Sequence, residues 1–203
     1  MKTLVSAVAE PGRRIPRSAL FCAAAFLQFA LLAVMVADRA EILRDGTEVV
    51  LRARPVDPRD ILRGDYVTLD YDISRLPAGP LEGAPAGARN PVVFVKLAPG
   101  SDGTYQAVSV HADAVEVTSP EVLIRGRVEF GAECDVKQPR FCKTLRIRYN
   151  LESYFVPEGG GSKLERLRNE RRVAVVAAVD PAGRAAIKRL LVDGEAVYDE
   201  PWF

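Results

Sequence analysis

Residues 57–65, "DPRDILRGD", place three carboxylates, Asp57, Asp60 and Asp65, around two guanidinium groups, Arg59 and Arg63. Arginine pairs bidentately with carboxylate, so this stretch can close into an ion-pair network that fixes a loop, or it can offer a charged face to a partner. A solvated cluster of the first kind contributes little stability, because exposed pairs are screened. A second carboxylate group, Glu152, Glu158 and Glu165, surrounds the glycine run at 159–161. Clustered carboxylates can hold calcium or carry acid/base chemistry, but a calcium loop needs oxygen ligands at regular intervals, and this stretch has no such pattern. Cys134 and Cys142 flank "DVKQPRF". A disulfide across so short a loop would contribute about 2 to 3 kcal/mol in the chain-entropy model. A redox pair or a metal site is the alternative, although the spacing is not CxxC and His111, the single histidine, is far away in sequence.

Turn and strand chemistry account for part of the first cluster. Pro55 and Pro58 stop a preceding strand, Gly64 supplies an unhindered backbone, and Asp65 can hold neighbouring amides before a strand starts at Tyr66. Alternation then puts Val67, Leu69 and Tyr71 on one face, the expected core face, and Tyr66, Thr68 and Asp70 on the other. Tyr71 reads as structural and Tyr66 as the better candidate for contact. Further on, "ESYFVPEGGG" ends a strand with Tyr154 and Phe155 and passes through Pro157 into a glycine-rich loop. Asp57, Arg59, Asp60, Arg63, Glu152, Tyr154, Phe155 and Glu158 are therefore the candidate interaction residues, the acidic loop folding against the arginine pair as one composite surface.

The elements that must position these residues follow from composition and periodicity. Residues 18–37, "SALFCAAAFLQFALLAVMVA", carry no charge and are long enough, at about 20 residues, to cross the hydrocarbon core as a helix. Cys22 lies in that run as an apolar filler, and Gln28 is its one strongly polar residue, a candidate for helix pairing. Arg13, Arg14 and Arg17 precede the run, whereas Asp38, Arg39 and Glu41 follow it, so the positive-inside rule keeps the N-terminus in the cytoplasm and sends the rest of the chain across. A cleaved signal peptide is the competing reading. Cleavage after Ala37 would put Met35 at the −3 position, and cleavage after Ala40 would put Asp38 there, so an uncleaved anchor is expected.

Beyond residue 46 the sequence reads as strands. "TEVVLRARPV", "DYVTLDYDI", "PVVFVKLA", "TYQAVSVHA", "EVLIRGRVEF", "LRIRYNLE", "RVAVVAAVD" and "AAIKRLLVDG" mix β-branched or aromatic residues with polar alternates. "SDG" at 101–103 and "DPAG" at 180–183 have hairpin-turn chemistry, and residues 77–91 are too rich in Gly, Ala and Pro for a regular element. One helix is expected over residues 162–172, with Ser162 and Glu165 spaced as a capping box. The expected fold is mainly β: a cytoplasmic segment at 1–17, a transmembrane helix at 18–37, a juxtamembrane segment at 38–46, and an antiparallel, sandwich-like or barrel-like extracytoplasmic domain with one short helix at 47–203.

"GDYVTLDY", residues 64–71, fits GDYxxLxY at every specified position: Gly64, Asp65, Tyr66, Leu69 and Tyr71. "PVDPRDILR" before it and "YNLESYFVPEGGGSKLE" at 149–165 also resemble recurrent segments of the GDYXXLXY family of bacterial membrane-anchored proteins. The resemblance implies an envelope protein with an extracytoplasmic β domain and points to a polytopic membrane protein as partner; with the apolar run and its flanking charges, the expected place is the bacterial inner membrane, single-pass and N-in, with the β domain in the periplasm or outside the cell. It implies no catalytic residue and no cofactor.

Several other functions find little footing in the residues. A formal net charge of +1 over 203 residues leaves no basic excess for nucleic acid. An anchor followed by a β domain with a "GDYV" turn also resembles membrane-bound signal peptidases, but residues 47–67 contain no serine to act as nucleophile. No dyad or triad is apparent. "GGGSK" at 159–163 lacks the spacing of a phosphate loop, His111 has only Asp113 nearby, and the Arg63-Gly64-Asp65 tripeptide is too short to specify an integrin ligand. The expectation is an interaction module and accessory subunit of a membrane assembly, with a degenerate or unusual envelope hydrolase, or a metal-binding envelope protein, as the alternative.

Overall fold

The computed structural model describes residues 16–55, 66–77, 90–129, 144–155 and 161–200. Asp57, Arg59, Asp60, Arg63, Gly64, Asp65, Glu158, Cys134 and Cys142 lie outside the described residues. The chain divides into two units, residues 1–38 and 39–203.

Helix α1, Arg17–Asp45, is 29 residues long, and its apolar window is wholly exposed. Phe21, Phe26, Leu27 and Phe29 all face outward, and so does Cys22. A helix of this length with its apolar surface uncovered can cross a bilayer. The residues read as span and juxtamembrane segment thus form one continuous helix. Its last turn serves a different purpose: Ile42 and Leu43 are buried with Ala178 and Ala186 of the β domain.

Eight expected strands all contain strand residues: β1, Thr47–Arg54; β2, Tyr66–Thr68, and β3, Asp70–Tyr71; β5, Val92–Pro99; β6, Tyr105–His111; β7, Val122–Glu129; β8, Thr144–Arg148; β10, Val173–Val179; and β11, Ala185–Val192. The strand end expected at Tyr154 and Phe155 is β9, Ser153–Phe155, and two short strands were not anticipated: β4, Arg75–Pro77, and β12, Glu195–Asp199. β12 follows a turn at Asp193 and Gly194, both with positive φ, a two-residue hairpin signal inside the segment read as strand and turn end. One five-stranded sheet runs β12-β11-β10-β1-β3, another runs β4-β8-β7-β5-β6, and β2 and β9 form a separate ribbon. All their pairings are antiparallel, and neither five-stranded sheet closes into a barrel. Inward residues of both sheets, Leu51, Val175 and Val49 from one and Val95, Ile124 and Ile147 from the other, belong to a single core cluster. That is the sandwich arrangement expected when each sheet has one apolar face.

Three sequence expectations need correction. "DYVTLDYDI" is not one strand. It breaks at Leu69 and turns through a single 3-10 turn at Asp72–Ser74. "LRIRYNLE" ends as a strand at Arg148, because Asn150 adopts a left-handed conformation with φ of 62° that takes the chain out of the ladder. Helix α2, Gly161–Asn169, stops before Arg172, since Arg171 also turns to positive φ.

Candidate functional site

Residues 66–77 join all three sheets in succession. β2 pairs with β9, β3 pairs with β1, and β4 pairs with β8. The alternation that the sequence suggests continues through this corner, burying Val67, Leu69, Tyr71 and Ile73 to within 2% of complete. Asp70, expected on the opposite face, is buried as well and meets Arg75 at 3.2 Å.

The segment at 149–155 closes over this corner through reciprocal tyrosines. Tyr71 donates its hydroxyl to the Leu151 carbonyl at 2.6 Å, and Tyr149 donates to the Ile73 carbonyl at 2.8 Å. Each phenol therefore satisfies a backbone acceptor in the segment that carries the other. Leu69 N–H donates to the Glu152 carbonyl at 2.8 Å, extending the β2–β9 ladder across the break. Burial, and to a smaller extent the Glu152 charge, raises the pKa of both hydroxyls well above the ordinary tyrosine value. In the dry interior a neutral phenol hydrogen-bonded to a carbonyl is the favoured form.

Glu152 and Tyr154 take parts different from the presented surface expected of them. Glu152 accepts the Tyr149 N–H at 2.6 Å and lies 3.9 Å from the Arg148 guanidinium, so its carboxylate ties down the turn after β8. Tyr154 is only 7% exposed, and its ring meets that of Tyr198 edge-on at 5.6 Å. It belongs to the interior, as expected of the residue opposite Val67 in the ribbon. Tyr66 and Phe155 pair directly in register. Consequently the 56–65 and 156–160 segments, far apart in sequence, attach at the same end of the β2–β9 ribbon.

One residue that sequence reading passed over is Arg168. It lies on α2, is 1% exposed, and donates to the Thr68 carbonyl of β2. Its Nε also reaches the Asn169 side chain at 3.2 Å. Desolvation pulls its pKa below the ordinary arginine value, while the Glu165 charge acts in the opposite direction. Leu164 enters the core from the same helix. "SKLERLRNERR" contains several arginines of equal appearance, and only packing against β2 selects Arg168. Glu165 remains on α2, and among the described residues no three His, Cys, Asp or Glu side chains gather into a metal-binding group.

A family model described as GDYXXLXY protein matches residues 28–190, and the chain belongs to that family. No curated protein and no solved structure matches it.

Proposed function

Starting from membership of the GDYXXLXY family, we propose that this protein is a membrane-anchored interaction module, an accessory subunit of a bacterial envelope membrane assembly. The apolar helix holds the chain at the inner membrane with its N-terminus in the cytoplasm, and the β domain works in the periplasm or at the cell exterior. Docking is assigned to two segments, the charged stretch containing Asp57, Arg59, Asp60 and Arg63 and the acidic loop containing Glu158.

The observation that supports this reading is the Tyr66–Phe155 pairing, which attaches both segments to one end of a ribbon. The Arg168 guanidinium holds the ribbon at Thr68, and the two buried tyrosine hydroxyls tie together the segments that follow β2 and precede β9. Anchoring charged contacts on a rigid support lowers the ordering cost of binding. Glu152 and Tyr154 support the platform rather than touch a partner.

Photocrosslinking in native membranes tests the proposal, with the reactive residue at Tyr66 in one version and at Glu158 in another. Adducts to the same polytopic membrane protein from both positions, lost on Arg63→Glu, are expected. Folded, membrane-inserted protein that gives no adduct at either position would overturn it.

A further inference from the structure

The outer face of the β4-β8-β7-β5-β6 sheet carries two Arg-x-Arg pairs, Arg125 with Arg127 on β7 and Arg146 with Arg148 on β8. Register places Arg146 opposite Glu129 but Arg127 directly opposite Arg148. Glu129 ion-pairs with both β8 arginines, at 3.6 Å and 3.0 Å. Arg125 and Arg127 have no carboxylate partner among the described residues. Like charges opposed across an antiparallel pair are destabilising, and two residues further along the same strands a glutamate avoids that cost.

The opposed pair borders a concave feature. After Arg148 the left-handed Asn150 turns the chain away from β7, and the turn between β10 and β11 takes the vacated place. There the Arg125 N–H donates to the Gly183 carbonyl at 2.7 Å. A Cβ at Gly183 would sit 3.0 Å from the Arg125 nitrogen, so the close approach depends on glycine, whose φ is also positive at 80°. The result is a cleft of about 260 Å³ lined by Arg125, Arg127, Arg148, Arg184 and Asn150. Asp180 holds Arg184 at 2.7 Å, at the root of the turn.

We propose that this cleft binds a compact phosphate-bearing anion, drawing on guanidinium groups from β7, β8 and the β10–β11 turn. The lining is concave and contributed by three segments, which suits a multivalent tetrahedral oxyanion that can accept from several guanidinium groups at once. A single carboxylate offers fewer acceptor sites. The ligand compensates Arg125 and Arg127 and relieves the Arg127–Arg148 opposition, so it binds the folded domain and stabilises it by mass action. The phosphate can come from a soluble molecule or from a lipid headgroup.

Thermal unfolding and calorimetry of the full chain in uncharged detergent, at fixed ionic strength, test the site with three probes: pyrophosphate, inorganic phosphate and short-chain phosphatidate below its micelle concentration. Saturable binding with a rise in Tm, absent with chloride, is expected. Arg125→Gln combined with Arg127→Gln should weaken it at least tenfold. Tighter binding of pyrophosphate assigns a soluble ligand, and tighter binding of phosphatidate assigns a lipid headgroup. Arg127→Glu, which pairs with Arg148 across the strands, serves as a second variant if the double one does not fold, and it should abolish binding. No saturation with any probe, or equal affinity in wild type and a folded variant, would overturn the proposal.

Discussion

The inner and outer faces of β7 and β8 are built from adjacent residues and obey opposite rules. Outward, Arg125 and Arg127 carry charge into solvent without a carboxylate partner among the described residues. Inward, Gly126 between them carries nothing. A Cβ there would lie 2.3 Å from Ile147 Cγ2 and 3.0 Å from the Tyr149 ring, so the missing side chain lets the tyrosine lie against the β7 backbone. The inner face gives up volume for fit, whereas the outer face keeps a like-charge opposition that contributes nothing to folding. Stability is concentrated on the first and binding chemistry on the second.

Breaking the inner face should have the largest effect. Tyr71→Ala removes a fully buried ring and leaves the Leu151 carbonyl without its donor, and a loss of about 3 to 5 kcal/mol is expected in denaturant unfolding of the full chain.

Raising the pH attacks the same clasp without mutation. Because both phenols have pKa values raised in the folded state, their contribution is complete below the unfolded tyrosine pKa of about 10 and is lost as the pH climbs above it. Each should cost about 1.4 kcal/mol per pH unit in that range. Unfolding midpoints measured from pH 9 upward should fall, and Tyr149→Phe should fall less steeply than wild type.

Gly126→Ala probes the join between the two faces. The added methyl must displace Ile147 or the Tyr149 ring, and a loss of about 1 to 3 kcal/mol is expected. Thermal unfolding gives the size, and loss of near-ultraviolet tyrosine signal would locate the disturbance at Tyr149.

The outer face should respond least, and in the other direction. Arg127→Glu replaces a like-charge opposition with an opposite-charge pair to Arg148, and a gain of about 0.2 to 1 kcal/mol is expected, shrinking with added salt. A variant that stabilises the fold while removing anion binding would separate the two faces most sharply.

The same contrast explains what was legible. Val67, Leu69 and Tyr71 announced a buried face by alternation alone, because burial on one side of a strand leaves a period of two in the sequence. Tyr154 misled, since an aromatic before a glycine-rich loop looks like a presented side chain until β2 and Tyr198 cover it. The two Arg-x-Arg pairs were visible as polar alternates, but no local pattern says that Arg127 faces Arg148 while Arg146 faces Glu129.

By itself the sequence determined the apolar helix, the antiparallel β class and the family, because length, periodicity and a short motif are local properties of the chain. Only the tertiary structure decided that residues 66–77 stitch three sheets, that Tyr71 and Tyr149 hold each other's segments, that Arg168 is the buried arginine of α2, and that four arginines share one cleft. Each depends on strand register or close packing between distant segments, and a one-residue slip of β7 or β8 would send the arginines of that strand to the opposite face.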